Sequence, residues 1–312
     1  MPAEHLAPPA PLPPARVENI AAGTIWMLAS GLLFVAMTGV IRHIGATLPP
    51  AEAAFIRYIF ALVFVSPALL SLVRRPPARR IWALYGVRGL VHGLGVILWF
   101  YAMARIPIAE VTALGYAAPL FITILAAIFL GERIRLRRIL ALLVGLLGVM
   151  IILRPGVQEI GPGQIAQLVT TPLFAASFII AKLLTNEQGS GEIVAMLALG
   201  CTITLLPFAL ADWTDPTLEQ VLWLGLVALF ATAGHYAQTQ AYRFAPITVT
   251  QPVQFLQIVW ATLLGVLIFA EPIDAFVVIG AGVIVASAWY IARREMQLRR
   301  AEQADERARA AA

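Results

Sequence analysis

Apolar stretches long enough to cross a bilayer recur along almost the whole of this 312-residue chain, and no other feature restricts its fold so severely. A spanning helix needs about 20 residues. Hydrocarbon offers no water to an unpaired N–H or C=O, so each such stretch must satisfy its own backbone as a helix. Ten fit, at approximately 20–43, 51–73, 81–104, 107–130, 134–153, 163–184, 191–211, 219–243, 246–270 and 273–292. Turn chemistry separates them, as at Leu48-Pro49-Pro50, Arg154-Pro155-Gly156 and Glu271-Pro272. Charged residues make up 12% of the chain, about half the share in a soluble domain, and mean hydropathy is +0.85. A soluble, disordered or disulfide-built chain is therefore excluded, the last because Cys201 has no partner cysteine. We expect an all-α polytopic membrane protein with ten transmembrane helices. Residues 1–19, rich in proline, read as a disordered tail, and 294–312 as a basic tail. The first apolar run is long enough to span, so it is not a signal peptide.

The cations orient the chain. With the N-terminus in the cytoplasm, 17 of the 22 Lys and Arg fall on the cytoplasmic side. Arg42, Arg105 and Arg154 fall on the other, and Arg57 and Arg88 within spans. Both termini are thus expected in the cytoplasm and the chain in the inner (plasma) membrane. The positive charge is scattered over short loops that meet lipid headgroups, which argues against a nucleic-acid partner.

An internal repeat underlies the ten spans. At a shift of 140, Leu33-Phe34 falls on Leu173-Phe174, Arg42 on Lys182, Glu52 on Glu192 and Pro67 on Pro207. At 139, Pro107-Ile108 falls on Pro246-Ile247, Glu132 on Glu271 and Arg154 on Arg293. Two five-helix repeats, 20–154 and 163–293, are expected. Five is odd, so the second copy must be inverted. Loop charge agrees: residues 74–80 carry four arginines, whereas 212–219 carry three acids and no cation. Inverted repeats are a recurrent plan of secondary transporters, with solute bound near the midplane.

Several stretches resemble the drug/metabolite transporter superfamily, specifically chains with two EamA-type domains. They are Phe55-Ile56-Arg57-Tyr58, Trp99-Phe100-Tyr101-Ala102-Met103-Ala104, Pro107-Ile108-Ala109-Glu110 through Pro119-Leu120, and Phe129-Leu130-Gly131-Glu132-Arg133. The resemblance covers residues 20–293. It implies the ten-span fold and a transport function but leaves the solute open, since members carry amino acids, vitamins, nucleotide-derived metabolites and drugs. Leu197 stands where the repeat would place a second Arg57, and Pro272 where it would place a second Arg133.

Ionisable groups inside spans mark candidate function, because each is costly in hydrocarbon. Arg88 and His92 share a face of span three, extended by Tyr85 and Trp99. His235 in span eight lies at a similar depth with Gln238 on its face, and span nine supplies Gln251, Gln254 and Gln257. Such residues either line a wet cavity or hydrogen-bond a neighbouring helix. Arg57 either snorkels, pairs with Glu52 or Glu110, or gates. Glu110 suits a helix N-terminus or a gate equally, and Tyr116 shares its span. Glu132 and Glu271 fit helix ends. Gly89-x-x-x-Gly93 fits close packing within one chain, so a monomer is expected.

No enzyme signature, metal-binding cluster or phosphate-cradling loop is present, so neither catalysis, metal nor cofactor is expected. The expected function is alternating-access transport of a small-molecule substrate across the bilayer. Tyr85, Arg88, His92, Trp99, Tyr116, His235, Gln238, Gln254 and Gln257 would contact it, and Arg57 and Glu110 would gate or couple. The resemblance to YddG-type exporters implies amino acid export first, with uptake of a vitamin or an S-adenosylmethionine-like metabolite as the alternative.

Overall fold

The computed structural model describes residues 19–74, 76–118, 120–121, 136–157, 159–245, 250, 253–254, 256–287, 289–290, 293 and 297. Both expected tails, apart from Asn19 and Gln297, lie outside the described residues, as do Pro119, Glu132, Arg133, Gln251 and Pro252.

Among the described residues ten helices follow in order. They are α1 (Ile20–Ile44), α2 (Pro50–Arg74), α3 (Arg79–Met103), α4 (Ile108–Gly115), α5 (Leu136–Leu153), α6 (Pro162–Leu184), α7 (Ser190–Ala211), α8 (Leu218–Phe244), α9 (Gln257–Phe269) and α10 (Ala275–Ser287). Among the described residues there is no β-strand. Among the described residues six helices, α1–α3 and α6–α8, are long and apolar enough to cross a membrane.

Local signals set the helix starts. Asn19 accepts from Ala22 N at 3.0 Å, Pro162 opens α6, and Thr217 and Gln220 close a reciprocal box at the start of α8. Spans four and nine are not continuous helices. Tyr116 and Ala117 form a turn at the end of α4, with helix resuming at Ala118, and Leu256 forms a turn before α9. Backbone freed at such depth is tolerated where it is held by protein or lines a cavity. The hydroxyl of Tyr116 donates to Gln254 O at 3.2 Å, tying one break to the other.

Helix contacts recur in pairs. α1 packs along α8 and α3 along α6; α2 meets α8 as α3 meets α7; α1 meets α9 as α4 meets α6; α2 meets α7. Exchanging each helix for the one five later turns every one of these pairs into another of them. The equivalent helices α2 and α7 run antiparallel. Glu52, at the start of α2, accepts from Thr214 N and Oγ1, both at 2.9 Å, just past the end of α7. Glu192, at the start of α7, accepts from Ser71 at 3.0 Å, near the end of α2. Likewise α5 and α10 cross with Gly148 against Gly280 and Ser287 donating to Ala141 O.

Small residues let the central helices approach. A Cβ on Gly89 would stand 2.6 Å from Gly200 Cα, and one on Gly93 2.9 Å from Thr204 Cγ2. The glycine pair of α3 therefore packs on α7 within the chain. Large apolar side chains such as Val63, Leu210 and Leu267 point outward, away from this core. In water such a surface would be a severe liability; toward lipid it is not.

Candidate functional site

A cavity of about 150 Å³ lies between α1, α2, α3, α4, α6 and α8, with Gln254 and Gln257 closing one side. Its floor is a histidine pair. His92 is the fourteenth residue of the 25-residue α3, near mid-membrane, and its ring centroid lies 5.3 Å from that of His235 on α8, edge to face. Ser177 on α6 holds His92 Nδ1 at 3.0 Å, and Phe174 stacks on the ring at 4.7 Å. Phe34 meets His235 at 5.0 Å. Edge and stacked contacts of this kind fix ring orientation.

Arg57 supplies the cavity's charge. It is 3% exposed, lines the space, and lies over the Tyr58 ring at 3.9 Å. Among the described residues it forms no salt bridge, and its Nε has no hydrogen-bond partner. Gln167 Oε1 and His235 Nδ1 are also buried without partners among the described residues. Buried polar atoms are ordinarily satisfied by protein or water. Three residues around one cavity thus carry an unsatisfied polar atom: a cationic donor, an amide acceptor and an imidazole nitrogen. Among the described residues no Asp or Glu lines the cavity.

The expected site residues divide. His92, Trp99, Tyr116, His235, Gln254 and Gln257 line this cavity, and so does Arg57. Tyr85, Arg88 and Gln238 do not. Arg88 is 2% exposed and donates to Ile193 O at 2.9 Å, with Tyr58, Tyr85, Tyr242 and Cys201 nearby. It joins α3 to α7 instead of facing the solute path. The hydroxyl of Tyr85 reaches Gln188 at 3.3 Å, at one end of the bundle. Gln238 is buried on α8 away from the cavity. Glu110 accepts from Gln164 Nε2 at 3.1 Å and lines a second cavity, about 310 Å³, shared with Glu271 and Asp274.

Sequence reasoning passed over α1 and α6. Phe34, Thr38, Gln167, Thr171, Phe174 and Phe178 all line the cavity. Their signal was available in the repeat, since Phe34 corresponds to Phe174 and both contact the histidine pair. Among the described residues no group of three His, Cys, Asp or Glu could hold a metal.

The EamA-like transporter family matches the chain twice, over residues 21–154 and 161–293. A riboflavin transporter of Rhizobium johnstonii is 31% identical over 281 residues, 89% of this chain and 93% of that protein. One of Vibrio cholerae is 29% identical over 286 residues, 90% and 96% of the two chains. Other relatives bear other solute names, S-adenosylmethionine among them. A solved crystal structure superimposes with a TM-score of 0.57 at 20% identity, covering 88% of this chain and 98% of that one. These relatives are named as transporters, and a bundle with six helices long and apolar enough to cross a membrane around a largely apolar cavity suits that role. The chain carries two EamA-like domains and belongs to the EamA-like transporter family.

Proposed function

We propose that the protein is a secondary carrier for a planar heteroaromatic solute of the riboflavin class, bearing carbonyl and imide groups, working by alternating access of two inverted five-helix halves in the inner membrane. The antiparallel course of α2 and α7 and the paired exchange of contacts support the inversion. The charge split of the loops supports cytoplasmic termini.

The observation that carries the solute class is Arg57, a buried cation facing an aromatic cavity that has no carboxylate among its described lining residues. An amino acid brings an ammonium as well as a carboxylate, and S-adenosylmethionine brings a sulfonium. Neither cation finds a counter-charge there. A flavin-like ring brings faces for Trp99, Phe174 and Tyr116, and carbonyl and imide groups for Arg57, Gln167 and His235. Arg57 donates to electron-rich oxygens through a planar fork. The relatives named for riboflavin agree with this chemistry. At about 150 Å³ the cavity is smaller than the roughly 300–1,000 Å³ of open ligand sites, so the helices must part to admit such a solute.

Binding tests this in detergent solution. Stacking beside Trp99 should quench riboflavin fluorescence saturably, lumiflavin should compete, and tryptophan, phenylalanine and S-adenosylmethionine should not. Quenching absent for flavins, together with a thermal shift produced by tryptophan or phenylalanine, would favour the amino acid exporter implied by the resemblance.

A further inference from the structure

Two cations at opposite ends of the bundle do the same job. Arg42, at the end of α1, donates through Nη1 to Met103 O at 3.1 Å and Ile106 O at 3.3 Å, just past α3. Lys182, at the end of α6, donates to Tyr242 O at 2.5 Å and Ala245 O at 3.4 Å, at the end of α8. The donors are 140 residues apart, and both acceptor pairs, Met103 with Tyr242 and Ile106 with Ala245, are 139 apart. Each cation therefore satisfies the orphan carbonyls at the C-terminus of the equivalent helix, where the helix dipole also favours positive charge.

Beyond these carbonyls Arg42 makes an ion pair. Its Nη2 pairs with Glu271 Oε1 at 2.9 Å, and Glu271 Oε2 accepts from Ile108 N at 3.0 Å, at the start of α4. One ion pair thus joins α1, the α3–α4 turn and α4 of the first half to the α9–α10 segment of the second. It lies between the two cavities. Met103 lines the central one, Ile106 and Glu271 line the other, and Arg42 holds the carbonyls of Met103 and Ile106 together. A solute leaving the central cavity toward this end must part these elements.

We propose that Arg42–Glu271 is the latch that closes one end of the central cavity and that Lys182 is its counterpart at the opposite end, so that the two clasps release in alternation. This rests on the transport reading above but on no particular solute. If inverted halves exchange conformations, the two clasps must exchange roles, and weakening either should bias the carrier toward opening at that clasp's own end.

Accessibility of one cavity position reads this out. In a Cys201→Ala background, Thr112→Cys places a thiol on the cavity wall, and an impermeant thiol reagent is applied to right-side-out and inside-out membrane vesicles in turn. Arg42→Ala and Glu271→Gln should each raise labelling several-fold from the face that carries Arg42 and lower it from the other. Lys182→Ala should do the opposite. Arg42→Lys, which keeps the charge, should fall between wild type and Arg42→Ala. Shifts in the same direction for Arg42→Ala and Lys182→Ala, or unchanged labelling in monodisperse protein, would overturn the proposal. The labelling needs no solute, so an error in the flavin assignment leaves these outcomes intact. A reversed membrane orientation would exchange the two faces without removing the opposition.

Discussion

Arg57→Gln is expected to lower flavin affinity roughly ten- to a hundredfold without loss of folded protein. A hydrogen bond to a charged group contributes about 1.5–3 kcal/mol, and each 1.4 kcal/mol or so is tenfold in affinity. Arg57 has no acidic partner among the described residues, so its removal strands no buried anion. Taking an unpaired charge out of the interior should hold or raise the unfolding temperature. Arg57→Lys should recover part of the affinity, since it keeps the charge and loses the fork. Fluorescence titration and a thermal melt on the same preparation separate the two effects. A loss of stability equal to the loss of binding would make Arg57 a packing residue.

Gly89→Leu is expected to abolish the folded protein. The contact between Gly89 and Gly200 is backbone against backbone, with Cβ room of only 2.6 Å to Gly200 Cα. Even moderate overpacking costs about 1–3 kcal/mol, and here neither side has a side chain that can rotate away. The α3–α7 crossing would have to open, displacing His92 one turn further along. Gly86→Leu is the matched control, because a Cβ at Gly86 meets nothing within 4 Å and that side of α3 is exposed. Size-exclusion profiles should show a monodisperse peak for Gly86→Leu and none for Gly89→Leu. A monodisperse Gly89→Leu protein would mean that the crossing is looser than the structure has it.

The contrast between those glycines shows what a sequence conceals. Both stand in the same apolar helix, and only the neighbouring backbone tells them apart. The long helices were legible because hydropathy and turn residues mark them: the expected 20–43 and 191–211 correspond to α1 and α7 within a residue or so. In spans four and nine the sequence marks an interruption at Pro119 and Pro252, but the turns at Tyr116 and Leu256 nearby carry no polar signal of their own. Hydropathy records composition and is blind to a turn made of apolar residues.

The site was legible in part for a similar reason. His92 and His235 stand out in hydrophobic helices, and depth alone brings them to one level. Arg88 stood out equally, but depth does not fix azimuth, and its guanidinium turns toward Ile193 on α7 instead of the cavity. Arg57 lies nearer a helix end, where snorkelling explains an arginine without invoking a site; in the fold it lines the cavity and lies over the Tyr58 ring. Phe34, Thr38 and Phe174 resemble lipid-facing or packing residues until α1 and α6 are placed against α8 and α3.

Counterflow in proteoliposomes tests the central claim most directly. Vesicles carrying the purified protein are loaded with unlabelled riboflavin and diluted into a trace of labelled riboflavin. Transient accumulation of label should appear with wild-type protein, fall by about tenfold or more with Arg57→Gln, and persist in the presence of excess tryptophan or phenylalanine. No accumulation of riboflavin, with clear accumulation of labelled tryptophan or phenylalanine in vesicles loaded with that amino acid, would contradict it.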